Sequence, residues 1–240
     1  DGAAPAAEAT DPDRVAPVVM AVDPTDVATA LASAAASTGS LAWSALAPLI
    51  AVPSVQDAAR TLLVDPSPRS RSAGAELLAG APADAVTDAL LAALETETER
   101  GARISIAAAL AERPAAAVEG ALLRLLAGDD EILGAIAAEG LGPRPGGHVM
   151  SALVAAFGAS TGEREVERRL AIVKAIEARE DAPIELLKGA MTDPSLLVRR
   201  EAQRIVTTRF ARANSSEIVR GMRCRSSPTL GTGWATSSSR

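Results

Sequence analysis

The tripeptide Asp-Pro-Ser stands at 65–67 and returns at 193–195, a separation of 128 residues, or four steps of 32. At the intermediate steps the chain has Glu97, Asp129 and Thr161, all able to accept a hydrogen bond at a helix start. Flanking columns keep the same beat. Leu187 answers to Ala155, Leu123, Leu91 and Ala59, and Ile205 to Val173, Leu141, Ala109 and Leu77. A period of this length, carried by small or apolar columns, restricts the chain to stacked supersecondary units that bury their faces against one another. Five units run from about Pro53 to Arg212.

The last unit, residues 181–212, shows what each one is. Ile184, Leu187, Ala190 and Met191 have helical spacing behind Pro183, which suits the first helical position. Asp193 then reads as the N-cap of a second helix and Pro194 as its first residue. In that helix Val198, Ala202, Ile205 and Val206 form an apolar stripe, with Arg199, Arg200, Gln203 and Arg204 off it. The unit is an αα-hairpin. The same reading along the array predicts helices over 54–64, 70–79, 83–96, 99–112, 115–127, 130–140, 147–158, 163–179, 183–191 and 195–211. Pro82 and Pro114 sit where helices start, and GLGPRPGG at 140–147 reads as a bend or a mobile connection.

The pattern Leu-x-Asp-Pro-Ser followed by Val-Arg-x-x-Ala-x-x-Ile in the last unit, with a blurred copy around Leu63 and Asp65, resembles HEAT-type repeats. It is similar in particular to the short bacterial variety also found in phycobilisome-lyase-like proteins. The resemblance implies an all-α, armadillo-type superhelix of five to six helix pairs, used as a binding scaffold, with second helices lining the concave side. It does not imply one role, because such repeats host many.

Composition narrows the function classes. The hydrophobic fraction of 48% supplies a continuous core, and its alanine bias predicts close helix packing with thin side-chain layers. Aromatic residues make up 2%, leaving little for base stacking, and the net charge of −6 argues against a nucleic-acid binder. One cysteine, Cys224, excludes an intrachain disulfide, and with the single His148 it cannot assemble a His/Cys metal cluster. No G-x-S-x-G stands anywhere, so His148 has no nucleophile motif to serve and reads as a helix-cap or solvent-facing residue. No cofactor is expected.

Outside the repeats, residues 1–24 read as a flexible Ala/Pro/acidic linker, and 25–51 as an irregular first pair opening a repeat array that extends over 25–212. The charge-free run between Asp26 and Asp57 is diluted by Ser33, Ser37, Gly39 and Ser44 and interrupted by Pro48, so it reads as helices rather than a membrane span. From Ala213 to Arg240 the Ser/Arg-rich composition predicts a disordered tail. Cytoplasmic placement is favoured, with an extracytoplasmic one open if a leader or anchor preceded Asp1.

Two sets of residues are candidates. Asp65, Asp129 and Asp193 at helix starts, with Arg71, Arg103 and Arg199 early in second helices, read as a structural ladder in which arginines bridge to the neighbouring unit's carboxylate. Arg168 and Arg200 share a column at 32 residues with Arg164 one turn away, a basic patch for a carboxylate-bearing protein partner. The expected function is a non-enzymatic protein-interaction scaffold. Its rivals are an enzyme or enzyme accessory of lyase-like or alkylation-repair-like type, and an envelope-associated adaptor.

Overall fold

The computed structural model describes residues 50–81, 84–177, 179 and 181–224, the side chains of 84, 85, 210 and 212–224 excepted. The linker 1–24, nearly all of the irregular pair 25–51, and residues 225–240 lie outside this range. Among the described residues the chain is all-helical and has no strand. Ten α-helices follow one another: α1 (Pro53–Leu62), α2 (Pro68–Ala79), α3 (Asp84–Thr96), α4 (Arg100–Ala111), α5 (Ala116–Leu126), α6 (Glu131–Leu141), α7 (Gly147–Ala159), α8 (Val166–Ala175), α9 (Ile184–Met191) and α10 (Leu196–Cys224). A 3₁₀ turn, Glu163–Glu165, leads into α8.

These helices pair into five hairpins stacked in chain order. The second helices α2, α4, α6, α8 and α10 form one layer of closely touching neighbours, whereas α1, α3, α5 and α7 meet their own layer-mates far more lightly. Tight spacing in one layer and loose spacing in the other curves a stack toward its tight side. Small residues make the close layer possible. A Cβ added to Gly140 of α6 would sit 2.8 Å from the Cβ of Ala111 in the neighbouring hairpin, inside any normal contact. The core runs uninterrupted through both layers, with Leu62, Leu78, Leu90, Ile106, Leu122 and Ile172 fully buried.

Several expectations are corrected by local geometry. Asp193 and Asp65 stand two residues before the helix caps: Asp193 Oδ1 accepts the N–H of Ser195 at 2.7 Å, and Asp65 Oδ1 that of Ser67 at 2.8 Å. Helices α10 and α2 therefore start at Leu196 and Pro68, two residues later than an aspartate cap would set them. Pro183 is itself the N-cap of α9. Helix α3 begins at Asp84, while Pro82 is outside the described residues. Most visibly, α10 continues through Ala213 to Cys224, where composition predicted loss of helix. No proline interrupts the chain between Pro194 and Pro228, and the first glycine after Leu196 is Gly221, so nothing local stops the helix once it has started.

The connection at 140–147 is pinned rather than loose. Arg144 is buried, its Nε donating to the carbonyl of Gly140 at 3.1 Å and its Nη1 to that of Ala115 at 3.1 Å. Gly146, at φ 118°, makes the left-handed turn into α7; a Cβ there would sit 2.9 Å from the imidazole of His148.

Candidate functional site

The second helices all run the same way, so one edge of their layer gathers helix N-termini and the other gathers C-termini. Unpaired N–H groups on the first edge attract anions, and unpaired carbonyls on the second attract cations. Each edge carries its own arginine system.

On the N-terminal edge, Glu97 accepts the N–H groups of Thr98 and Glu99 at 3.0 and 2.9 Å, and Arg71 of the preceding hairpin grips it twice, at 2.5 and 2.9 Å. This partnership holds the Glu97 carboxyl down at about 2, against an ordinary 4.5. Arg169 and Asp193 repeat the arrangement at 2.7 and 3.1 Å, with both side chains buried. Asp130 caps α6 through Ile132 and Leu133 and is held by Arg100 of the preceding hairpin; that guanidinium, first of all causes, lowers its pKa. The cap residue is thus Asp130, one position beyond the Asp129 of a strict 32-residue count. Arg103 and Arg199 do not reach a neighbouring carboxylate. They turn back onto their own turn, Arg103 to the carbonyl of Glu97 and Arg199 to those of Asp193 and Pro194. Arg71 does both, donating also to the carbonyls of Asp65 and Pro66.

The C-terminal edge was not anticipated. Arg113 donates to the carbonyls of Leu78 and Ala81, Arg144 to those of Arg113 and Ala115, Arg179 to those of Arg144 and Gly146, and Arg209 to those of Ile176 and Arg179. Each guanidinium thereby fastens the end of the preceding second helix or the turn that follows it, and from Arg144 onward it takes the backbone carbonyl of the previous arginine. Burial pushes Arg113 and Arg144 below the usual guanidinium value, partly offset by Glu112 and Glu119.

These equivalences fix the true register. The clamps fall at 113, 144, 179 and 209, intervals of 31, 35 and 30, so the period is not constant. Between α8 and α10 the offset is 30, since Arg169 and Arg199 serve their own turns alike and Arg179 and Arg209 make matching clamps. Arg200 consequently answers to Leu170. Arg168 answers to Val198, and it is a buried core position at 7% exposure. The patch of Arg164, Arg168 and Arg200 is dissolved by that shift of two residues. Arg164 and Arg200 are exposed, and Arg168 faces inward between α6 and α8.

What the register does reveal is an end face. Val166, Leu170 and Val173 lie on the side of α8 opposite Arg168, about half a turn round at 3.6 residues per turn. Their counterparts in α10 are Leu196, Arg200 and Gln203, all exposed. Beside them α9 exposes Ile184 at 66% and Met191 at 42%, and Leu197 adds 55%. Of the six exposed large apolar side chains among the described residues, the other two are Val64 and Val154, so four belong to this last hairpin. A cavity of about 320 Å³ opens there between α9 and α10, walled by Ile184, Leu187, Met191 and Val206, with Lys188 and Arg209 at its edge. His148, at the start of α7, pairs its Nε2 with Glu119 Oε1 at 2.7 Å and ties α7 to α5. Among the described residues no His, Cys, Asp and Glu group is arranged to hold a metal ion, and no helix is long and apolar enough to cross a membrane.

No protein-family model matches the chain, and no curated protein matches it.

Proposed function

We propose that this chain is a HEAT-like, non-enzymatic scaffold that binds another protein at the end face of its last hairpin. The reading is supported by the concentration of exposed Ile184, Met191, Leu196 and Leu197 in the last hairpin, which carries four of the six exposed large apolar side chains among the described residues, and by the apolar cavity between α9 and α10 that Ile184 and Met191 line. A helix presenting apolar residues suits such a groove. Arg200, exposed on α10, favours an acidic flank in the partner, whereas Lys188 is paired with Glu185 at 2.9 Å.

The test is a photo-crosslinking amino acid placed at Met191, with a control at Arg69 on α2. A discrete adduct from Met191 alone, lost in the Leu196→Glu/Leu197→Glu variant while helicity and melting are kept, is the expected result. Equal adducts from both positions, or an adduct indifferent to the double variant, would remove the end face from consideration.

A further inference from the structure

We infer that Arg168 is the anion-binding residue of a small-molecule site between α5 and α7, whose ligand is an amphiphilic monocarboxylate.

The argument begins with the column. The residues preceding the equivalent arginines 71, 103, 169 and 199 are Ser70, Ala102, Arg168 and Val198, and one 31-residue step from Ala102 brings α6 to Leu133. All five are buried. Four are neutral and small or apolar; one is a guanidinium. A charge at a core position is costly, and an apolar side chain of similar volume commonly serves stability as well or better. The fold nonetheless makes room for it, since a Cβ on Gly134 of α6 would lie 2.3 Å from Arg168 Nε.

The guanidinium is also underused. Nη2 donates to the carbonyl of Gly128 at 2.8 Å. The contact of Nη1 with Glu165, at 3.3 Å, is an ion pair but not a hydrogen bond, and both Glu165 Oε2 and Arg168 Nε are buried without a hydrogen-bond partner. The adjacent Arg169, by contrast, meets both oxygens of Asp193 and the carbonyls of Ser160 and Gly162. Buried donors left unsatisfied are uncommon in native folds, and among the described residues Arg113 Nε is the other such side-chain nitrogen.

A cavity of about 270 Å³ adjoins this group. Its walls are apolar: Leu123 and Leu126 from α5 face Ala152, Ala156 and Ala159 from α7, and Arg168 supplies the one charged side chain. The alanines of α7 stand at i, i+4 and i+7, so one face of that helix offers only short side chains to the cavity. Apolar walls with one guanidinium, whose Glu165 partner makes no hydrogen bond and can be displaced by a better-placed carboxylate, suit a ligand with a hydrocarbon body and a single negative charge. A carboxylate matches the planar guanidinium, whereas a phosphate dianion would bring two charges to one cation. The volume, at the small end for ligand pockets, sets a medium-length chain.

Titration calorimetry on the full chain tests this, with octanoate, octan-1-ol and octylamine as probes. Octanoate should bind saturably, one per chain and at least tenfold tighter than octanol, with no binding of octylamine. Arg168→Met should bring octanoate down to the octanol level, with some fall in melting temperature because the Gly128 carbonyl and Glu165 lose their partner. Ala155→Phe, at an exposed lining position, should block both probes with Arg168 untouched. It keeps the question decidable if the methionine variant folds poorly. Absence of saturable octanoate binding to the wild-type chain, or equal affinity for octanoate and octanol, overturns the proposal and leaves Arg168 as a clamp on the Gly128 carbonyl.

Discussion

The two edges of the second-helix layer use the same side chain against opposite ends of the same helices, and they differ in what the arginine holds. On the N-terminal edge it holds carboxylates: Arg71 on Glu97, Arg100 on Asp130, Arg169 on Asp193. On the C-terminal edge it holds neutral carbonyls, each clamp spanning two or more of them. Charge neutralisation makes the first edge sensitive to protons. The second has no acceptor that titrates in acid apart from Asp181, which Arg179 also contacts from the surface. Stability of the array therefore rests on two independent chemistries, which meet at opposite ends of α4 and of α6.

The largest expected effect comes from the carbonyl edge. Arg144→Met strands the carbonyls of Arg113 and Ala115 in a buried turn, and at about 1–3 kcal/mol for each orphaned group the loss should exceed 2 kcal/mol. A lower urea midpoint measures it. Arg144→Lys should recover little, because an ammonium cannot span acceptors that a planar fork reaches together.

Glu97→Ala attacks the other edge. It orphans the N–H groups of Thr98 and Glu99 and leaves Arg71 unpaired, but Arg71 is 17% exposed and water can replace part of the contact. A cost of about 1–2 kcal/mol is expected, smaller than that of Arg144→Met. Equal costs would mean that the two edges are energetically alike after all.

Acid should separate them further. The folded pKa of Glu97, about 2, is below its ordinary 4.5, so its stabilisation is complete above the ordinary value and is withdrawn as pH falls toward 2. Between those limits the wild-type chain should lose more stability than Glu97→Gln, whose titrating group is gone. The cost of Arg144→Met should stay nearly constant over the same range. Parallel pH profiles for wild type and Glu97→Gln would show that the depressed pKa carries no stability.

The smallest effect is expected at Arg204. It bonds Glu177 and Glu201 at 2.6 and 2.7 Å but is about half exposed, at 47%, so Arg204→Ala should leave the urea midpoint unchanged within error. A clear drop would extend the network of structural arginines onto the open face of α10.

The same contrast explains what could be read from residues alone. Helical hairpins were legible because apolar spacing, prolines and acidic helix starts recur, and eight of the ten helices, all but α8 and α10, begin and end within two residues of the expected bounds. The carboxylate edge was legible in kind, since both partners have a residue type. Its members were partly misassigned because Asp130 and Arg169 stand off a strict 32-residue count. The carbonyl edge left no trace: its acceptors are backbone groups that any residue supplies, and its donors are spaced 31, 35 and 30 apart. Arg168 was placed on the surface for the same reason. The 35-residue step through Gly146 and Gly162 lengthens one unit and the next shortens, so a fixed ruler set Arg168 against Arg200 instead of Val198.

The run of carbonyl clamps has a mechanical consequence. Because each guanidinium from Arg144 onward is fastened to the backbone of the one before it, that edge behaves as a spine of fixed contour length: hairpins can pivot about it but cannot slide apart along it. Compliance is left to the opposite layer, where α1, α3, α5 and α7 touch lightly. A pull on the two ends of the array would fan those outer helices open like pages while the spine held, and would change curvature before it broke any inner contact.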